Sequence, residues 1–366
     1  MGVREEFWNA ISEIEIAKNL SIEMKQEMLS RIDNILRTSL PDRVFKYRSC
    51  STRNIDALAR NVLYAVPASY MNDPFDSLVY VDKTFITESI KYGLSRKFIN
   101  DIREARTLPE PLKRFLPEDY AQELLDNCLK LTEEEINEKI EANTKILQSV
   151  IDNVNNFIDV CIKDLQNRSL ISSFANSPFD SSMWNRYAGD NTGFVLEYAI
   201  EDTRFDFCWA CPDIQTDHCD KSVVQAYWYP IVYREERFDA TAWVDYKITD
   251  IALSSSDNRN AVGYMPDILM YDKCCLVKGK AWEKEQEWRL VCYPAFPMVD
   301  TKPVAIHTPC PRAIYYGYKI SDEDFRLLHK TIEDLRSKGA KIKEFRMYLD
   351  PYSRDFELKV REIATQ

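Results

Sequence analysis

The sequence predicts an α+β protein: a mixed β-sheet core, preceded by N-terminal helices and interrupted by a helical insertion. Three observations predict it. Apolar residues recur at helical steps up to Pro41. From Ser169 onward, short alternating segments bounded by turn residues dominate. Between them, residues 85–168 are rich in Leu, Ile, Glu, Lys and Asn, with proline only at 109, 111 and 117.

Taken in order, Phe7, Ile11, Ile14, Leu20, Met24, Met28, Ile32 and Ile35 follow three- and four-residue steps, so residues 1–43 form one or two amphipathic helices. In Val44-Phe45-Lys46-Tyr47-Arg48-Ser49 the aromatic and basic residues alternate, a strand with Phe45 and Tyr47 on one face and Lys46 and Arg48 on the other. A helix over Ile55–Arg60 and a strand over Val62–Val66 follow. Asn72-Asp73-Pro74-Phe75-Asp76 is a turn, because Asn and Asp bond their own backbone and Pro74 denies Asp73 the α region. The insertion at 85–168 contains a long acidic helix centred on Glu133–Ile146. Strands are predicted at Leu170–Phe174, Gly193–Tyr198, Tyr227–Tyr233 and Lys284–Tyr293. Near the C-terminus, strands at Ala313–Tyr316 and Ile342–Leu349 flank a helix capped by Ser321 and ended by Gly339, a β-α-β unit with parallel strands. The main α+β domain thus spans 44–350, and 351–366 is expected to be a C-terminal helix.

Composition excludes several function classes. The 366 residues hold 8 glycines, about 2% against a usual level of roughly 7%, and none spells G-x-G-x-x-G or a P-loop. If a nucleotide is bound, side chains must hold it. Lys and Arg number 48 against 59 Asp and Glu, a net charge of −11, so no global basic field draws nucleic acid or anionic lipid. The N-terminus lacks a signal pattern and no apolar run is long enough for a membrane span, so a cytoplasmic protein without membrane contact is expected. Of the 10 cysteines, Cys128, Cys161 and Cys292 fit reduced core positions.

Three constellations carry potential chemistry. Trp282-Glu283-Lys284-Glu285-Gln286-Glu287-Trp288-Arg289-Leu290, as a strand, puts Glu285, Glu287 and Arg289 on one face and Trp288 with Leu290 in the core. Two readings stand: a solvated edge with an ion pair, or carboxylates presented to a ligand. Arg48 offers a fork of donors suited to phosphate or carboxylate, although surface arginines are common. Ser172-Ser173-Phe174 and Met183-Trp184-Asn185-Arg186-Tyr187-Ala188 cluster hydroxyls and aromatics, or simply form a core strand and a turn.

Lys46-Tyr47-Arg48, Asn72–Asp76, Met183–Ala188 with Gly193, and Trp282–Arg289 occur in an order that makes residues 44–350 resemble the bacterial family catalogued as domain of unknown function 2971. Through it the chain resembles ADP-ribosyltransferase-like proteins. Their pattern is Arg or His on the first strand, a Ser or aromatic motif on a middle strand, and Glu, often Glu-x-Glu, on a late strand. The resemblance implies a sheet core of that type. It also implies NAD as substrate, with Arg48 on the diphosphate or ribose and Ser172 and Ser173 in the middle motif. Tyr47, Trp184 or Tyr187 would stack on nicotinamide. Glu287 would stand near the ribose 2′-hydroxyl where oxocarbenium charge develops, and Glu285 would activate the acceptor. The middle motif departs from the family pattern, being Ser-Ser-Phe where Ser-Thr-Ser is usual.

The implied activity is ADP-ribosyl transfer to RNA, DNA or protein by a bacterial toxin or antiviral-defence effector, with an antitoxin or other regulator as partner. The insertion is the candidate for acceptor choice or regulator binding. Two other classes remain: a non-catalytic sensor or binding module, and a metal-dependent hydrolase using the Glu-x-Glu face. Cys208, Cys211, His218 and Cys219 offer four soft ligands for a structural zinc. Reduced loop cysteines are the simpler reading, so no metal is assigned.

Overall fold

The computed structural model describes residues 2–14, 20–116, 118–208, 223–257, 267–293, 303–355 and 357–364. The N-terminal segment forms α1 (Val3–Glu13) and α2 (Ile22–Ser39), the latter capped by Ser21. Strand β1 (Arg43–Arg48), helix α3 (Thr52–Ala59) and strand β2 (Val62–Pro67) follow. The insertion comprises α4 (Lys83–Gly93), α5 (Arg96–Ala105), α6 (Glu110–Phe115), α7 (Glu118–Lys130) and the 35-residue α8 (Glu133–Asn167). A reciprocal capping box between Thr132 and Glu135 starts α8.

The second half runs through β3 (Leu170–Phe174), α9 (Ser181–Tyr187), β4 (Phe194–Ala199), β5 (Arg204–Cys208), β6 (Val223–Pro230) and β7 (Val232–Arg234). It continues with α10 (Thr241–Asp257), α11 (Met270–Leu276), β8 (Val277–Gly279), β9 (Trp288–Cys292) and β10 (Val304–His307). The chain ends with β11 (Ala313–Tyr316), α12 (Asp322–Ser337), β12 (Lys343–Tyr348) and β13 (Lys359–Glu362). Among the described residues no helix is long and apolar enough to cross a membrane.

Two large sheets and a two-stranded parallel pair, β7-β8, organise these elements. One large sheet has the order β1-β4-β11-β12-β13 and the other β10-β2-β3-β9-β6-β5. β11 and β12 are parallel, joined through α12 as the sequence predicts. Between the sheets lies the main core, where Val44 and Phe194 meet Trp288, Leu290 and Ile306. On the far side of the first sheet, Phe45, Tyr47 and Val195 pack with Trp184 and Tyr315. Among the described residues the backbones of the two sheets are joined by one bridge, between Phe45 and Ala175, with hydrogen bonds of 2.9 and 2.8 Å. Beyond that bridge β1 leaves β3, and the opening becomes the pocket described next.

The described residues of 351–366 do not form the expected helix. Instead, β13 adds to the edge of β12, with Phe345 opposite Glu362 and Tyr348 opposite Lys359. Leu358 and Val360, two residues apart, reach the same apolar cluster as Met347, which is strand spacing. The side chains of Cys208, Cys211, His218 and Cys219 lie outside the described residues.

Gly193 secures the corner before β4. A Cβ there would run into the carbonyl oxygens of Arg48 and Ala188. We predict that Gly193→Ala costs about 1–3 kcal/mol, the scale of forced overpacking, and lowers the denaturation midpoint. Gly93 has open space around its Cβ position near the end of α4, so Gly93→Ala serves as a control that is neutral or stabilising. Equal midpoints for Gly193→Ala and the wild type would refute the close-approach argument.

Candidate functional site

Where the sheets part lies a pocket of about 300 Å³, and Arg48, Ser173, Tyr187, Glu285 and Glu287 are all among its lining residues. Residues distant in sequence therefore share one cavity. Its walls differ in charge.

The cationic side comes from β1 and α3. Lys46 is buried and donates to the Ser172 hydroxyl at 2.9 Å and to the Ser173 carbonyl at 2.6 Å. Its Nζ also lies 4.7 Å from the centre of the Phe174 ring. Burial and the neighbouring Arg48 push the Lys46 pKa well below its ordinary value, against the pull of Glu287. Arg48 and the exposed Arg53 line the same pocket, and neither has a hydrogen-bond or ion-pair partner among the described residues. Burial and Arg53 lower the Arg48 pKa, opposed by Tyr198. Two adjacent guanidiniums without an anion leave a site whose field favours a phosphate or carboxylate.

The acidic side is a network of three carboxylates and three cations. Arg289 is completely buried; its Nε donates to Glu287 at 2.8 Å and its terminal nitrogens to Asp76 and the Cys275 carbonyl, each at 2.6 Å. Lys278 spans both glutamates, 2.7 Å from Glu287 and 2.8 Å from Glu285. The remaining oxygen of Glu285 accepts from Tyr187 at 2.8 Å and Arg186 at 3.2 Å. Asn72 in turn donates to the Tyr187 hydroxyl at 3.1 Å. Burial opposes ionisation of Glu287, but Arg289 and Lys278 overcome it and hold the carboxyl far below the ordinary carboxylate range. Burial and Glu285 push Tyr187 up to about 12. Three carboxylates thus face two buried cations, and the third cation, Arg186, is half exposed.

The backbone of Glu287 is held as firmly as its side chain. Its N–H donates to the Tyr233 hydroxyl at 2.7 Å, and its carbonyl accepts from Arg4 of α1, also at 2.7 Å. The N-terminal helix therefore buttresses the site from behind.

Several expectations need correction. Glu285 and Glu287 do not share a strand face. Residues Lys280–Glu285 form a 3-10 turn, Gln286 is left-handed with φ of 44°, and β9 begins only at Trp288. Lys278 makes the close approach of the two carboxylates tolerable. Trp184 is a core residue: it is fully buried, gives its indole N–H to the Pro178 carbonyl at 2.7 Å, and is absent from the pocket lining. It cannot stack on a ligand there. Ser172 is also outside the lining, its hydroxyl engaged by Lys46, whereas Ser173 is in it. Tyr47 lines the pocket, but its hydroxyl donates to the Ser177 carbonyl at 2.8 Å.

Sequence reasoning missed Lys278, Arg53 and the role of the Asn72–Asp76 turn. The turn was visible as a motif; its purpose becomes visible only when Asn72 meets Tyr187 and Asp76 meets Arg289. Lys278 sits in an inconspicuous Val-Lys-Gly strand, and nothing local marked it.

Residues 183–290 match the model of a family described as "Protein of unknown function (DUF2971)". The match takes in Arg186, Tyr187, Lys278, both glutamates and Arg289, and it supports the resemblance over that part of the chain. No curated protein and no solved structure matches the chain.

The buried network makes two predictions. Arg289→Met leaves Asp76 and Glu287 each short of a buried cation, and we expect a loss of about 3–5 kcal/mol by equilibrium denaturation. A loss under 1 kcal/mol would show that the network does not hold the fold. The second concerns pH. Because folding depresses the Glu287 pKa, its stabilisation is complete above the unfolded value of about 4.3 and fades as pH falls towards the folded value. The stability gap between wild type and Glu287→Gln should therefore be widest near neutrality and narrow below about pH 4.3. A gap that widens on acidification would contradict the assignment.

Proposed function

We propose that this pocket binds NAD and that the protein transfers its ADP-ribosyl group to a macromolecular acceptor. The observation that carries the reading is the polarity of a single pocket: Arg48 and Arg53 from β1 and α3, neither with an anionic partner among the described residues, and Glu285 and Glu287 from the segment before β9. A nucleotide pyrophosphate with a cleavable glycosidic bond needs both poles. The diphosphate neutralises the guanidiniums, which also answers how a glycine-poor chain holds a dinucleotide. The 300 Å³ pocket takes the nicotinamide-ribose half, and the remainder emerges past the exposed Arg53.

In this reading the bond between ribose C1′ and the nicotinamide nitrogen breaks, nicotinamide leaves neutral, and positive charge develops on the ribose. Glu285 is the carboxylate that meets it, because one of its oxygens is held only by the Tyr187 hydroxyl and the half-exposed Arg186. The acceptor nucleophile bonds to C1′ and its proton passes to Glu285. Glu287, with both oxygens paired to buried cations, acts by fixing Lys278 and so the position of Glu285. This reverses the roles that the Glu-x-Glu resemblance implies. A second reading, a nucleotide-binding module without turnover, is favoured by one observation: every oxygen of the two glutamates already has a partner.

Labelled NAD incubated with the protein and with separate protein, DNA and RNA fractions tests the reading, with nicotinamide release followed alongside. We expect wild-type turnover, a drop of about 10²–10³ in Glu285→Gln with the fold retained, and weakened NAD binding in Arg48→Ala. Wild-type rates in Glu285→Gln would overturn the mechanism. Tight NAD binding without nicotinamide release would select the binding module, and no binding would remove both.

A further inference from the structure

A larger cavity, of about 710 Å³, lies between the helical insertion and α10 and is separate from the pocket above. It separates two apolar clusters. One is built on Ile86, Ile158 and Val244, and the other on Ile102, Leu108 and Leu116. Ile90, Phe98, Leu112, Val154, Phe157 and Ile248 face it from α4, α5, α6, α8 and α10. Interiors are normally packed to crystal-like density, so a gap of this size among helices is the usual dimension of a small-molecule site.

Of the polar side chains in the wall, Ser89 and Asn153 are exposed to solvent, and Tyr92 and Thr249 are satisfied. The Tyr92 hydroxyl donates to Asp101 at 2.8 Å, and the Thr249 hydroxyl to the Asp245 carbonyl at 3.0 Å. Asp245 is the exception. Its carboxyl has no hydrogen-bond or ion-pair partner among the described residues, and burial pushes its pKa up. A half-buried carboxylate at an otherwise apolar wall is a single electrostatic anchor, and it selects the charge of whatever fills the space.

We propose that this cavity binds an apolar molecule carrying one ammonium group, with its hydrocarbon between the two clusters and its ammonium on Asp245. The proposal is independent of the NAD reading, since no residue lines both pockets.

Displacement of the neutral dye Nile red by dodecylamine, dodecanol and dodecanoate at neutral pH tests it. The amine should displace dye at about tenfold or more lower concentration than the alcohol, as expected for a hydrogen bond to a charged group, and dodecanoate should be weakest. Asp245→Asn should bring amine and alcohol within about twofold of each other while leaving the alcohol value unchanged. Val154→Trp, which fills the cavity, should abolish dye binding with the far-ultraviolet circular dichroism intact. Equal displacement by amine and alcohol in the wild type would overturn the proposal. So would a preference that survives Asp245→Asn, or dye binding that is indifferent to Val154→Trp.

Discussion

The Arg289 guanidinium, completely buried between Asp76 and Glu287, is the interaction on which the rest of the architecture depends. An arginine with no solvent contact is tolerable only when its donors all find acceptors. That requirement ties together elements that otherwise have no reason to meet. Through Asp76 it fixes the turn after β2, and Gln166 near the end of α8 donates to the Asp76 carbonyl at 3.1 Å, so the insertion docks on the same point. Through the Cys275 carbonyl it fixes the end of α11. Through Glu287 it reaches Lys278 and then Glu285, whose partner Tyr187 is held by Asn72 of the same turn.

The pocket is the consequence of two sheets that share one bridge and then diverge. Had β1 continued to pair with β3, Lys46 and Arg48 would face a closed ladder. Instead Lys46 bonds Ser172 and Ser173 across the gap, and Arg48 is left facing the cavity. Burying one cation amid apolar strands is unfavourable, and a neighbouring second cation makes it more so. In the proposed reading a ligand supplies the missing charge. Fold stability and ligand preference are therefore opposite sides of the same construction: the carboxylates are neutralised from within, while the arginines are not.

Much of the fold was legible in the sequence because it follows local periodicity. Apolar residues at helical steps marked α1, α2 and α12, and the Phe45/Tyr47 alternation matches the faces they occupy in β1. Arg48, Ser173 and Glu287, singled out from three separate motifs, line one cavity. Local pattern failed where tertiary contacts decide. Gln286 in the left-handed region breaks what reads as a continuous strand, and only Lys278, seven residues away, explains why two carboxylates can sit together. Trp184 looked like a stacking residue by composition, whereas its environment makes it a core anchor packed edge-on against Tyr47 with centroids 5.5 Å apart. The final strand was missed because a four-residue edge strand carries little periodicity of its own.

The central claim is that the opening between the sheets is a bipolar nucleotide pocket. A crystal structure of the protein with ADP-ribose tests it most directly. The diphosphate should lie within hydrogen-bond distance of both Arg48 and Arg53, with the ribose directed towards Glu285. A diphosphate bound elsewhere, with those two arginines unchanged and making no contact to it, would contradict it.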